Sequence, residues 1–212
     1  SKERREHEHR VAATPDTVKK LISLGFDVTV EKDAGAGASI LDQAYQAVGA
    51  TIGADAAAAL EDAVIVLKVQ RPLTEAEGGP NELSYMKSGA KLIASLSAYT
   101  NPDQVKAYAA AKVDAFAMEL LPRITRAQSM DVLSSQSNLA GYRAVLEACN
   151  AFGRGMPMMM TAAGTVPPAR TLILGAGVAG LLISLALGLA GASVQAGTAD
   201  EFHRATVKIR TQ

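Results

Sequence analysis

Residues Thr171–Gly180 read TLILGAGVAG, and LLISLALGLAGASVQA follows to Ala196. A short apolar run meets Gly175, Gly177 and Gly180, then a helix-length apolar segment, then a second β-favouring run. Strand, glycine turn, helix and strand within about 30 residues make a βαβ unit. Each glycine has its own work there. One permits the tight turn, one lets a pyrophosphate approach the backbone, and one allows the helix to pack closely on the strand. The helix start then offers free N–H groups to an anion. The same turn also occurs in α/β domains that bind nothing. The run is apolar enough to suggest a bilayer span, but its glycines and periodicity fit buried strand, turn and helix better.

Upstream, helix and strand alternate. TPDTVKKLISLG (14–25) places Thr14 as N-cap, Pro15 at the first helical position and Gly25 as the stop. FDVTVEK (26–32) alternates like a strand, and ASILDQAYQAVGA (38–50) has a helical period. AVIVLKV (63–69) is continuously apolar but for Lys68, as expected of a strand covered on both faces. KLIASLS (91–97), a helix opening at Asn101–Pro102 and VDAFAMEL (113–120) complete the series. Such alternation predicts parallel sheets with crossover helices. The expected organisation is an N-terminal α/β domain over 1–121, a helix and connector over 122–168, and a partial dinucleotide-binding domain over 169–212. The fold class is α/β with two Rossmann-like parallel-sheet domains, the second incomplete. A doubly wound domain usually opens on an apolar strand, so a further strand is expected before Ser1. The second strand of the last unit should end on an acid for a ribose. Gly197 or Thr198 stands there, with Asp200 and Glu201 slightly late.

Composition narrows the function. Net charge is 0, with 21 basic and 21 acidic residues, so no basic footprint for nucleic acid exists. The mixed run KERREHEHR (2–10) reads as a solvated segment. Cys149 is the only cysteine, which rules out an intrachain disulfide and fits a reducing compartment. His7, His9 and His203 form no convincing metal or catalytic set. The Met158–Met160 triplet reads as core or interface packing.

PRITRAQSMDVLSSQSNLAGY (122–142) is unusually polar for a helix. A helix from about Ser129 to Phe152 is expected, and Gln128, Asp131, Ser134 or Ser135, and Asn138 would share one face. Neutral donors and acceptors with one carboxylate suit an amide ligand, such as the carboxamide of nicotinamide. A capped helix with a solvated stripe explains the same residues.

RVAATP (10–15), AMELLPRITRAQSMDVLSSQSNLAGYRAVLEA (117–148), PMMMTAAGTVPPAR (157–170) and LGAGVAGL (174–181) together carry a resemblance. The chain resembles the alanine dehydrogenase/transhydrogenase family. Within it, the likeness is to the soluble NAD(H)-binding component, the α or α1 subunit, of proton-translocating NAD(P) transhydrogenase. The match runs from Lys2 to about Val194 and fades after Ala196. It implies two α/β domains with NAD(H) in the cleft between them. Arg123, Gln128 and Asp131 match the family's Arg–Gln–Asp loop, and Ser134 a further contact. By resemblance, Arg123, Asp131 and Ser134 engage the nicotinamide carboxamide, while Gln128 reaches toward NADP(H) on a partner and orients without acid–base chemistry. Gly175, Gly177, Val178 and Gly180 match the pyrophosphate turn. The resemblance also implies membrane and NADP(H)-binding partner subunits, a homodimer, and a peripheral place on the cytoplasmic face of an inner membrane.

Alanine dehydrogenase is the rival reading. It would make Arg10 a substrate arginine. It also requires a lysine where Gln70 stands in LKVQRP (67–72) and a histidine where Ser97 stands in LIASLSAY (92–99). Without that histidine, a keto acid lacks an acid–base partner. A non-catalytic fragment is the third reading.

Overall fold

The computed structural model describes residues 1–175, 177–189 and 192–197. It divides into two compact units, Ser1–Ser129 and a second that begins at Met130. The 122–168 stretch is shared between them.

The first unit opens on helix α1, Pro15–Ser23. Thr14 caps it as expected, its Oγ1 accepting from the Thr17 N–H at 3.4 Å. Gly25 follows at φ +92°, a conformation that costs glycine little. Strands β1 (Thr29–Glu31) and β2 (Thr51–Gly53) pair in parallel, Thr29 opposite Thr51. Between them only Asp42–Gln46 is α-helical (α2), although the helical period is longer. A 3₁₀ turn at Ala36–Ala38 precedes it, and the chain turns at Gly49 with φ +96°. Helix α3 (Ala56–Leu60) starts on Asp55, whose Oδ1 accepts from the Ala58 N–H at 2.9 Å. Strands β3 (Ile65–Gln70), β4 (Lys91–Ser95) and β5 (Asp114–Ala117) form a parallel sheet with β4 central. Helix α4 (Pro102–Ala110) connects β4 to β5.

Two apolar clusters hold this unit. Val18, Val30 and Tyr45 centre one beside β1 and β2, and Val66, Leu92 and Tyr108 centre the other beside β3–β5. Strand β3 is covered on one face and only partly on the other, where Leu67 and Val69 are half-buried. Val66 and Lys68 are 2% and 5% exposed, whereas Ile65 is 39% exposed. The buried face carries Lys68, whose Nζ donates to Glu82 at 2.9 Å and lies 3.7 Å from Glu3. Arg4 pairs with both Glu31 and Glu82. Charges this deeply buried persist because they are paired.

The second unit contains α5 (Val132–Phe152), an antiparallel hairpin of β6 (Met159–Thr161) and β7 (Gly164–Val166), then β8 (Arg170–Leu174), α6 (Val178–Leu189) and β9 (Ser193–Gly197). The hairpin lies where a plain connector was expected. Met158, Met159 and Met160 are 56%, 41% and 78% exposed, so they are not core among the described residues. Val145, Ile173 and Leu187 form the core. Helix α5 buries only Gly141 and Val145. Met130, just before the helix, and Leu133, in its first turn, remain about half exposed. The apolar run after Thr171 forms β8, a turn at Gly175 and α6, and no helix among the described residues is long and apolar enough to cross a membrane.

Candidate functional site

Strands β8 and β9 pair in parallel from Arg170 opposite Ser193 to Leu174 opposite Gly197, with α6 as the crossover. This is the βαβ unit read from TLILGAGVAG. Two of its glycines meet distinct physical demands. Gly175 adopts φ +110°, which side-chain-bearing residues rarely tolerate. A Cβ on Gly180 would lie 2.0 Å from the Gly175 carbonyl oxygen, so helix and turn could not close with any larger residue. A Cβ on Gly177 would meet nothing within 4 Å. No described residue lies close enough to require glycine at 177. In a dinucleotide fingerprint the second glycine is the one that leaves backbone bare for a pyrophosphate. Val178 opens α6 and is 44% exposed. Strand β9 ends at Gly197; Thr198, Asp200, Glu201 and His203 lie outside the described residues.

The polar stretch does not form one continuous helical face. Thr125–Met130 is a 3₁₀ segment, and the α-helix starts only at Val132. Gln128 therefore lies outside α5, on a tighter turn. Asp131 is the N-cap. Its Oδ1 accepts from the Ser134 N–H at 3.0 Å and its Oδ2 from the Ser134 hydroxyl at 2.6 Å. Asp131 is half-buried, and the bonds join the pair as a polar corner. The Ser134 hydroxyl donates inward and can still accept. Arg123 is exposed, in the first unit, and so is Gln128. Neither side chain hydrogen-bonds or ion-pairs among the described residues. The helix is thus capped, with Asp131 as its N-cap.

Comparison with known proteins gives the family. The alanine dehydrogenase/PNT N-terminal domain model matches residues 1–140, and the C-terminal domain model matches residues 144–208. The chain belongs to the alanine dehydrogenase/PNT family. It is 61% identical over 180 residues to an NAD(P) transhydrogenase alpha subunit of Rhodospirillum rubrum, covering 85% of this chain and 47% of that one. The crystal structure of transhydrogenase from Sinorhizobium meliloti superposes with a TM-score of 0.87 at 50% identity, over 93% of this chain and 55% of that one. The alanine dehydrogenase of Halomonas elongata is more distant, at 32% identity over 198 residues, 91% of this chain and 51% of that one. The chain spans about half the length of the curated relatives it matches. Family membership accounts for the parallel α/β architecture.

Within this family, the residues at issue for a dehydrogenase gather on the N-terminal unit. Arg10 binds Glu8 through Nε at 2.7 Å, through Nη2 at 2.6 Å and through its backbone N–H at 3.1 Å. Gln70 Nε2 also donates to Glu8, at 3.1 Å. The Arg10 bonds, seconded by Gln70, hold the Glu8 carboxyl down to about 2 against the opposing effect of burial. The guanidinium that a dehydrogenase reading assigns to a substrate therefore already holds a carboxylate of its own chain. Ser97 sits just past the end of β4 with φ +51°, and its carbonyl accepts from the N–H groups of Thr100 and Asn101 and from the Asn101 side chain. Glu119 secures the N–H groups on either side, those of Leu96 and Ala98. Sequence reading missed Glu8 and Glu119 because spacing does not reveal partners as distant as Gln70 and Leu96. His7 and His9 carry no cluster with them: no group of metal-binding side chains exists among the described residues.

Proposed function

We propose that this chain is the NAD(H)-binding component of a proton-translocating NAD(P) transhydrogenase, acting by direct hydride transfer between NADH and NADP+ held on a partner domain. The observation that carries the reading is the Asp131–Ser134 corner, in a chain 61% identical to a transhydrogenase alpha subunit. The residues fit a dinucleotide. Gly175, Gly177, Val178 and Gly180 would receive its pyrophosphate, the α6 N–H groups facing the phosphate charge. Asp131 and Ser134 would accept from the carboxamide nitrogen and Arg123 would donate to its oxygen. When bound, the nicotinamide supplies the hydride, and no protein acid or base is required. The chain's work is orientation and exclusion of water. Gln128, exposed and unpaired among the described residues, orients the two reaction partners from this side.

The same reading includes membrane and NADP(H)-binding partner subunits, a homodimer, and a peripheral place on the cytoplasmic face of the inner membrane. Support for a subunit interface comes from the exposed Met158–Met160 hairpin and from Leu139 and Tyr142 on α5, which are 60% and 52% exposed. An alanine dehydrogenase activity is disfavoured by the Glu8–Arg10 pairing and by Gln70 and Ser97 at the diagnostic positions. The test is a titration of the complete subunit with NADH, read by cofactor fluorescence, beside an assay of pyruvate- and ammonium-dependent NADH oxidation. Binding without that oxidation supports the reading, whereas oxidation with pyruvate overturns it.

A further inference from the structure

Gly141 lies midway along α5, ten residues after Asp131, and is one of two residues that this helix buries. A Cβ built there would stand 2.6 Å from the carbonyl oxygen of Ala179 and 3.2 Å from its Cα. Ordinary contact begins near 3.4 Å. Ala179 is the second residue of α6 and lies within the Gly175–Gly180 stretch itself. The obstacle is backbone, which cannot swing aside as a flexible side chain would. The two helices therefore touch main chain to main chain at this point, within the stretch read as the pyrophosphate turn. One turn further along α5, Val145 joins Ile173 of β8 and Leu187 of α6 in the core. That contact locks the crossing and leaves little freedom to absorb a displacement at 141. Gly141 itself needs no unusual backbone angle. Its lack of a side chain matters only for the approach of α6.

We infer that Gly141 is a positioning residue for the nucleotide: it sets the first turn of α6 against α5, and so fixes the glycine turn relative to the Asp131–Ser134 corner on the same helix. This rests on the reading of Gly175–Gly180 as a pyrophosphate turn. Any side chain at 141 pushes the start of α6 outward and re-aims the N–H groups that would receive the phosphates. Binding of any ligand carrying the pyrophosphate suffers, whether or not it has a nicotinamide.

The test uses the complete subunit and compares Gly141→Ala with Gly153→Ala. Gly153 closes the same helix at φ +69° with open space where a Cβ would go. Alanine there strains the unit without touching the turn, so it controls for loss of stability alone. Binding of NADH and ADP-ribose is measured by titration, well below each melting temperature. The expected result is a loss of about tenfold or more for both ligands in Gly141→Ala, with Gly153→Ala lowering the melting temperature at unchanged affinity. Equal affinities in Gly141→Ala and the unsubstituted subunit would overturn the inference and leave the function standing. If the unsubstituted subunit bound neither ligand, the pyrophosphate reading and this inference would fall together. If Gly141→Ala weakened NADH but not ADP-ribose, the role assigned to the turn would be wrong.

Discussion

Asp131 has two separable duties, and an asparagine can divide them. As N-cap, it holds the Ser134 N–H at 3.0 Å. As a carboxylate, it holds the Ser134 hydroxyl at 2.6 Å and carries the charge proposed to receive an amide N–H. Asn caps helices as well as Asp does, so Asp131→Asn should change stability by less than about 0.5 kcal/mol. One oxygen becomes NH2, however, and can no longer accept from the Ser134 hydroxyl, which must turn around. A charge-assisted bond to the carboxamide is also replaced by a neutral one. Together these are worth about 1–1.5 kcal/mol, or five- to tenfold in NADH affinity. Asp131→Ala removes the cap as well and should cost about 1 kcal/mol of stability besides. Thermal melts report the first quantity and fluorescence titration with NADH the second, with ADP-ribose as the ligand that lacks the carboxamide. If both variants lost stability equally, or if NADH and ADP-ribose weakened in step, Asp131 would be only a helix cap.

Other consequences can be checked on the same protein. Gln128→Ala should leave NADH affinity nearly unchanged and slow single-turnover hydride transfer with the partner, by about tenfold or more if it aligns the reactants; an unchanged rate would remove its orienting role. Glu8 has its folded pKa lowered from 4.5 to about 2, so its contribution to stability is complete above about pH 4.5 and fades as the pH falls toward 2. Arg10 is about half exposed, which limits that contribution to roughly 1 kcal/mol. The stability gap between the parent and Glu8→Gln should shrink over that window in pH-resolved denaturation, and a gap independent of pH would refute the pairing. Lys68→Met leaves Glu82 and Glu3 buried without their lysine and should cost about 3–5 kcal/mol. The double change Lys68→Met with Glu82→Leu should recover some of it, and additive losses would show that the two act independently.

Local chemistry was legible where it is decided locally. Thr14 and Pro15 opened a helix, and Gly175 turned between a strand and a helix. These depend on neighbours a few residues away. The stretch after Arg123 was legible as polar and specific, but its apparent single face was not real. Helical spacing cannot foresee that Thr125–Met130 tightens into a 3₁₀ segment and that the α-helix waits for a cap at Asp131. The β6–β7 hairpin escaped notice because its loop is Ala162–Ala163, without the Asn-Gly or Asp-Gly signal. Strand β2, with only three residues, has no period to read. The cover on β3 was misjudged because apolarity shows what can be buried, not what arrives to bury it. The Glu8–Gln70 bond joins residues 62 apart in sequence, a pairing that spacing cannot reveal. Together with the Arg10 bonds to the same carboxylate, it matters for function, since it shows Arg10 engaged within its own chain.

Direct transfer between two nicotinamides is the centre of the account, and isotope tracing tests it. NADH carrying deuterium at its transferable position is mixed with the complete subunit, the NADP(H)-binding partner and NADP+ in ordinary water. The account predicts that NADPH forms with the deuterium retained and that omitting either protein abolishes its formation. Deuterium lost to water, or NADPH formed without the partner, would contradict it.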